Sequence, residues 1–214
     1  VLEADTDGIY LSSEKYFEKP LELLAKASSV LPQGVDLDFD GKFEAMLCYK
    51  AKNYALLENG KITLRGSAFR NRATEPYLRK LTETMVADLL LGRDDQVPLE
   101  IDRAKESILS GKTPIEDLAK GEYISKSPAQ YEADIAKTGR GRRAALEAAL
   151  LMNPRPEAGD KVLYYIARGA NPRDADWKKA RPISAYDPQS APYDAQYYSA
   201  KIDDWRKRFS DLAG

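Results

Sequence analysis

The sequence predicts an α+β fold: a partial antiparallel sheet over residues 1–72, followed by a mostly helical domain over 73–214. Three observations carry this. Short apolar runs separated by tight-turn dipeptides cluster before residue 66. Apolar residues at helical spacing begin near Thr74 and dominate the remainder. The 214 residues are 43% apolar and 31% charged, enough for one or two globular domains rather than a disordered chain.

The first element is a hairpin. Residues 1–4 are a short strand, Asp5, Thr6, Asp7 and Gly8 a tight turn, and residues 9–11 the returning strand; Asp-Gly between two apolar runs is a strong hairpin signal. A helix is predicted over 18–31, with Leu21, Leu24 and Ala25 on one face, Pro20 in its first turn and Pro32-Gln33-Gly34 as its stop. Val35, Leu37 and Phe39 alternate with Asp36, Asp38 and Asp40, which predicts a half-buried strand with an acidic outer face. Residues 43–57 read as one longer strand region. Asn59-Gly60 then forms a hairpin turn, Ile62, Thr63 and Leu64 return, and Arg65-Gly66 opens a polar stretch.

The helical part follows. Leu78, Leu81, Met85 and Leu89 mark a helix stopped by Gly92, and a second runs over 99–109 to Gly111. Thr113, Pro114 and Glu116 fit an N-cap, a first helical position and a capping-box acid, so a short helix is expected there. Residues 122–125 and 162–166 are candidate strands, 135–143 and 169–192 are loops, and 144–151 is a helix stopped by Asn153-Pro154. The last helix, 195–212, carries Tyr198, Ile202, Trp205, Phe209 and Leu212 on one face. There is no internal repeat and no low-complexity tract.

Composition removes several kinds of chemistry. The chain has no histidine, which excludes histidine bases, Ser-His-Asp triads and His-ligated zinc. Cys48 is the only cysteine, so no intrachain disulfide can form, as suits a reducing cytoplasm. No apolar run reaches membrane-spanning length, so no membrane partner is expected. Net charge is −1, but it hides asymmetry. Residues 1–49 hold ten acids and four bases, 50–80 eight bases and two acids, 94–134 ten acids and five bases, and 135–143 four bases and no acid. That pattern fits a metal site beside a polyanion path, or ordinary surface clustering. An apolar strand at residue 1 reads as a piece of something larger, or as numbering that begins after a trimmed tag.

Four constellations carry candidate chemistry. Asp5 and Asp7, two residues apart at a hairpin tip, can both approach one hard cation such as Mg²⁺; the plain alternative is an acidic turn. Lys50, Lys52 and Tyr54 alternate, so on a strand they would share one face and could track a sugar–phosphate backbone, or form a solvated face. Arg65-Gly66 with Arg70 and Arg72 offers bidentate phosphate contacts, or is a polar connector. Lys126, with Arg140, Arg142 and Arg143 in a glycine-containing loop before the 144–151 helix, offers cations and backbone N–H groups to a phosphate, or is a flexible basic loop. It lacks P-loop spacing.

The order of these pieces adds to each alone. A DTDG hairpin, an acidic stretch, K-x-K-N-Y-A, N-G, K-I-T-L-R-G and then a helical domain resembles the C-terminal palm–thumb part of a family B DNA polymerase, over essentially the whole chain. G-D-K-V-L-Y-Y-I at 159–166 and Y-D-A-Q-Y-Y at 193–198 resemble the thumb strand and the start of its final helix. The resemblance implies that Asp5 and Asp7 are the metal-binding carboxylates of motif C. It implies that Lys52 and Tyr54, with Lys50 beside them, hold the primer strand, and that Arg65 and Gly66 form the basic–glycine pair after the hairpin. Ala51 and Asn53 stand where lysine and arginine are common, and Asn71, Arg72 and Ala73 keep only part of a basic contact.

The implied partners are primer–template DNA, a deoxynucleoside triphosphate and the upstream exonuclease, palm and fingers parts. The implied cofactor is Mg²⁺ in a two-metal site completed outside this chain. The implied location is the cytoplasm, with the nucleoid. A DNA-directed DNA polymerase is therefore expected as part of a larger protein, with this chain alone inactive. Two alternatives stand beside it: a non-catalytic duplex-binding module from a degenerate relative, and a separately encoded C-terminal subunit.

Overall fold

The computed structural model describes residues 1–4, 8–171 and 173–212. The chain divides into two compact units, Val1–Arg70 with Val86–Arg93, and Asn71–Met85 with Asp94–Gly214. Together they form an α+β protein of small antiparallel sheets and helices.

In the first unit, strands β1 (Glu3–Ala4) and β2 (Ile9–Tyr10) pair antiparallel, Glu3 opposite Tyr10 and Ala4 opposite Ile9. Asp5, Thr6 and Asp7 lie outside the described residues. Helix α1 (Pro20–Ser28) has proline in its first turn, Glu22 near its N-terminus and Lys26 in its last turn, each sign matched to the helix dipole. It buries no residue, and Leu21 is 67% exposed. The strand expected at 35–40 is absent; Val35 and Phe39 are 49% and 46% exposed. Alternation makes a strand only where a neighbouring ladder takes up its backbone hydrogen bonds, and among the described residues no strand pairs with this segment.

Strands β3 (Ala45–Cys48), β4 (Tyr54–Glu58) and β5 (Lys61–Arg65) form an antiparallel sheet in that order, with Ala55, Leu56 and Leu57 buried at its centre. The single strand region expected over 43–57 is thus two strands. A turn at residues 49–53 separates them, closed by Tyr49 N–H donating to the Asn53 carbonyl (2.8 Å) and Asn53 N–H to that of Lys50 (3.3 Å). Lys50 and Lys52 take left-handed φ of 54° and 62° there. The predicted Asn-Gly hairpin is present: Glu58 pairs with Lys61, and Asn59 and Gly60 have φ of 51° and 73°, as a two-residue type I′ turn requires. One-turn helix α2 (Ser67–Arg70) follows and buries Phe69.

Helix α3 (Pro76–Leu90) runs through Met85 with the second unit and from Val86 with the first. Beyond its end the Arg93 guanidinium bonds the buried Asp88 carboxylate at 2.7 Å. The second unit then holds α4 (Gln96–Leu109), α5 (Ile115–Leu118), β6 (Lys120–Tyr123), α6 (Pro128–Thr138), α7 (Ala144–Leu150), β7 (Lys161–Ile166), α8 (Asp176–Lys179), β8 (Ala180–Pro182) and α9 (Ala195–Arg208). Strands β6, β7 and β8 form an antiparallel sheet in that order.

Three expectations change here. Helix α5 starts at Ile115 with Pro114 as its N-cap, and the Thr113 hydroxyl bonds that of Ser107 (2.9 Å) instead of capping. Helix α6 replaces the front of the expected 135–143 loop; Ser127 caps it by accepting from Gln130 N–H, Pro128 opens it and left-handed Gly139 closes it. The 169–192 segment contains α8 and β8, with Ile166 opposite Ala180. A three-residue strand ending in proline is too short to show a period of two.

The core of this unit is tyrosine-rich and every phenol in it is tied down. Tyr77 donates to the Tyr198 carbonyl (3.2 Å), Tyr198 accepts from Ile166 N–H (2.9 Å), and Tyr193 donates to the Ile108 carbonyl (2.8 Å). Burial pushes the Tyr77 and Tyr198 hydroxyls far above the ordinary phenol range. On α9, Tyr198, Ile202, Trp205 and Phe209 are buried, and the Trp205 indole donates to Thr82 (2.8 Å). Glu75, 4% exposed, is ion-paired to Lys201. No described helix is long and apolar enough to cross a membrane.

Candidate nucleic-acid interface

The alternation of Lys50, Lys52 and Tyr54 predicts one strand face, and the backbone does not provide it. Only Tyr54 is on a strand; both lysines stand on the 49–53 turn. A turn without glycine or proline leaves no strong composition signal, and Asn53 is the only turn-former in it. The turn leans on the first hairpin. Lys52 N–H donates to the Glu3 carboxylate (3.2 Å), and the Cys48 thiol contacts the Leu2 carbonyl (3.8 Å). Burial, then the Glu3 charge, pushes that thiol up.

Tyr54 is half-buried against β2. Its hydroxyl lies 3.2 Å from that of Tyr10, the rings 5.1 Å apart, and Phe43 packs on Tyr10 at 6.1 Å. Burial pushes the Tyr10 hydroxyl up to about 12, helped by Tyr54 and Asp40 and opposed by Arg65. Arg65 stands opposite Tyr54 on β5.

Gly66 follows at φ 85°, where a Cβ would fall 2.3 Å from the Lys52 carbonyl oxygen and 2.4 Å from Asn53 Oδ1. The Arg65-Gly66 pair and the lysine turn are therefore brought together by direct backbone approach. Lys50, Lys52, Arg65 and Arg70 are all exposed. Among the described residues no carboxylate pairs with their side chains; the Lys50 ammonium sits 4.9 Å from the Tyr49 ring centroid. Such cations on the 49–53 turn, the end of β5 and the end of α2 form a surface suited to a polyanion.

The second unit's basic residues are handled differently. Lys126 pairs with Asp134 (2.6 Å). Arg142 pairs with Glu147 (2.8 Å) and lies over Trp177 at 5.1 Å. The expected phosphate cradle before α7 is already engaged: Tyr131 accepts from Arg143 N–H (3.1 Å) and donates to Glu147 (2.7 Å), so an acid occupies the helix start. Those acids lie 8 residues after Lys126 and 5 after Arg142, spacings the charge pattern did not single out. Nearby, burial raises the Glu122 carboxyl, but the Tyr164 hydroxyl, Lys120 and Arg143 outweigh it and hold the group low. Arg140 and Arg143 are exposed, as is Arg72 at the start of this unit.

Among the described residues no group of three or more Cys, Asp or Glu side chains is placed to hold a metal; Asp5 and Asp7 lie outside them. As donors, two carboxylates are hard oxygens suited to Mg²⁺, but they fill only part of an octahedral shell.

No family model matches the chain. It is 28% identical over 178 residues to a DNA polymerase of Methanocaldococcus jannaschii, covering 79% of this chain and 10% of that one. It is 27% identical over 206 residues to a DNA polymerase of Thermococcus kodakarensis, covering 92% and 12%. To DNA polymerase 1 of Pyrococcus abyssi it is 28% identical over 206 residues, covering 92% and 26%. The chain thus spans between a tenth and about a quarter of the length of these relatives. In fold it matches the family B DNA polymerase of Pyrobaculum calidifontis with a TM-score of 0.69 at 20% identity, over 91% of this chain and 25% of that one.

Proposed function

We propose that this chain is the C-terminal palm–thumb part of a template-directed family B DNA polymerase, with a partial palm at 1–72 and a thumb at 73–214. One observation carries the reading: a chain with the DTDG and K-x-K-N-Y-A pieces in this order has the fold of a quarter-length segment of such an enzyme. Sequence similarity to archaeal DNA polymerases over 92% of the chain supports it. The non-catalytic module draws no separate support from any of these observations.

In this reading Asp5 and Asp7 supply carboxylates to Mg²⁺, whose remaining ligands come from water, nucleotide phosphates and upstream residues. The bound metal would neutralise charge developing on the transferred phosphate. The Lys50 and Lys52 ammonium groups and the Arg65 and Arg70 guanidinium groups hold the primer-strand backbone, free of carboxylate partners among the described residues. Tyr54, its hydroxyl held by Tyr10, buttresses that surface. Arg72, Arg140 and Arg143 contact duplex phosphates without reading sequence. Lys126 and Arg142 contribute less, because each must leave a carboxylate first. Exposed Val1, Leu2, Ile9 and Leu11 around the first hairpin suit a surface completed by the upstream part.

The test is binding of the 214-residue chain to a primer–template duplex across a salt series. Affinity is expected to fall steeply with salt, to weaken in Lys52→Ala and to hold in Asp5→Ala. Absence of duplex binding at low salt would refute the DNA-holding role. Nucleotide incorporation by the purified chain alone would refute the claim that it is only part of an active site.

A further inference from the structure

We infer that Asn53 is a positioning residue, which holds the 49–53 turn in the conformation that presents Lys50 and Lys52 to a phosphate backbone. The inference rests on the primer-strand role proposed above.

Asn53 makes four hydrogen bonds that together define the turn. Its backbone closes the loop through the Lys50 carbonyl and Tyr49 N–H. Its Nδ2 donates to the Ala51 carbonyl at 2.8 Å, inside the turn. Its Oδ1 accepts from Ala68 N–H at 2.8 Å, outside the turn. Ala68 is in the first turn of α2, where a backbone N–H has no partner within the helix. One amide side chain therefore ties the loop both to itself and to the segment that follows Arg65.

The tie is needed because the loop is not relaxed by composition. Lys50 and Lys52 both have left-handed φ, in a loop with neither glycine nor proline to favour it. Gly66 supplies the matching half. It leaves the space in which the Lys52 carbonyl and Asn53 Oδ1 approach, where any Cβ would collide with both. Remove the Asn53 side chain and Lys50 and Lys52 are free to return to extended or right-handed backbone, which redirects both ammonium groups. In sequence, Asn53 reads only as a missing cation; in the fold it aims the cations that remain.

The test compares salt dependence, not affinity alone. A partly unfolded variant loses apparent affinity by the same factor at every salt concentration, so its slope of log affinity against log salt is unchanged. Lost phosphate contacts reduce that slope by about 0.9 each. Four proteins are measured on a primer–template duplex: the unmodified chain, Asn53→Ala, Lys50→Ala/Lys52→Ala, and the triple variant. We expect Asn53→Ala to lower the slope by at least half as much as the double-lysine variant, and the triple variant to match the double. An unchanged slope in Asn53→Ala beside a lowered one in the double-lysine variant overturns the inference and leaves the proposed function standing. The same holds if the triple variant falls below the double by the full Asn53→Ala effect. An unchanged slope in the double-lysine variant overturns the primer-strand role of this loop, and the inference with it.

Discussion

Gly66→Ala tests the close approach that builds the interface. A Cβ at this position would lie 2.3 Å from the Lys52 carbonyl oxygen and 2.8 Å from the Asn53 Cα, both backbone atoms that move only with the chain. The φ of 85° adds a second penalty, since alanine rarely adopts it. Left-handed strain costs about 1–2 kcal/mol and overpacking typically about 1–3 kcal/mol, so about 2–5 kcal/mol is expected together. The damage should be local to residues 49–53 and α2, whose Asn53–Ala68 bond must open. At ~1.36 kcal/mol per decade, protection of the Asn53 and Ala68 amides against hydrogen exchange should fall roughly 30- to 5,000-fold. Both tryptophans, Trp177 and Trp205, belong to the second unit, so their fluorescence-detected urea transition should hold its midpoint. Unchanged protection at Asn53 and Ala68 would refute the steric argument; a shifted tryptophan transition would refute its locality.

Three further outcomes follow from the same contacts. Lys201→Ala leaves the buried Glu75 carboxylate without its ion-pair partner and should cost the second unit about 3–5 kcal/mol, read from the tryptophan urea transition. A cost under about 1 kcal/mol would mean the pair is not desolvated as the packing requires. Glu147→Gln frees Arg142 and removes the acid from the start of α7, so duplex affinity should rise at low salt with a slope steeper by about 0.9, one added phosphate contact. A lowered affinity would mean Arg142 needs Glu147 to hold its orientation. The Tyr10 hydroxyl is raised to about 12 from an ordinary 10.0, so the folded form holds its proton more tightly. Its contribution is complete below pH 10 and is lost as pH climbs through about 12. Stability of the first unit should stay level through pH 9 and drop above about 10, and Tyr10→Phe should flatten that drop. An equal drop in Tyr10→Phe would assign it to another group.

How much of this was legible in the sequence depends on what each element needs for its existence. The 59–60 hairpin and helices α3, α4, α7 and α9 are specified locally, by left-handed turn residues or by apolar spacing that a helix satisfies with its own hydrogen bonds. They appear where the spacing places them. Residues 35–40 alternate as cleanly as any strand, yet a strand needs a partner and none of the described strands supplies one. The 49–53 turn is the opposite case. Its residues alternate like a strand, while Asn53 both closes it locally and anchors it to Ala68, fifteen positions away. Helix α6 has a readable start in Ser127-Pro128, but charge patterning picks out only Lys126 beside it. Charge patterning located the basic stretches and could not say which cations were spent internally, because Asp134 and Glu147 meet Lys126 and Arg142 only after α6 and α7 have formed.

That last distinction decides where electrostatic binding should come from. Counting side chains, the 135–143 segment is strongly basic, with four bases and no acid. Counting available charge, Arg142 within it is neutralised locally by Glu147, and Lys126 before it by Asp134. In the 50–70 segment Lys50, Lys52, Arg65 and Arg70 keep their charge free of carboxylates among the described residues. A cation that must break an ion pair before meeting a phosphate exchanges one partner for another and gains little; an unpaired one gains the whole counterion-release term. Alanine substitution of Lys50, Lys52, Arg65 and Arg70 should therefore flatten the salt dependence of duplex binding more than substitution of Lys126, Arg140, Arg142 and Arg143. Equal flattening by the two sets would mean that the ion pairs of the second unit open on DNA without cost.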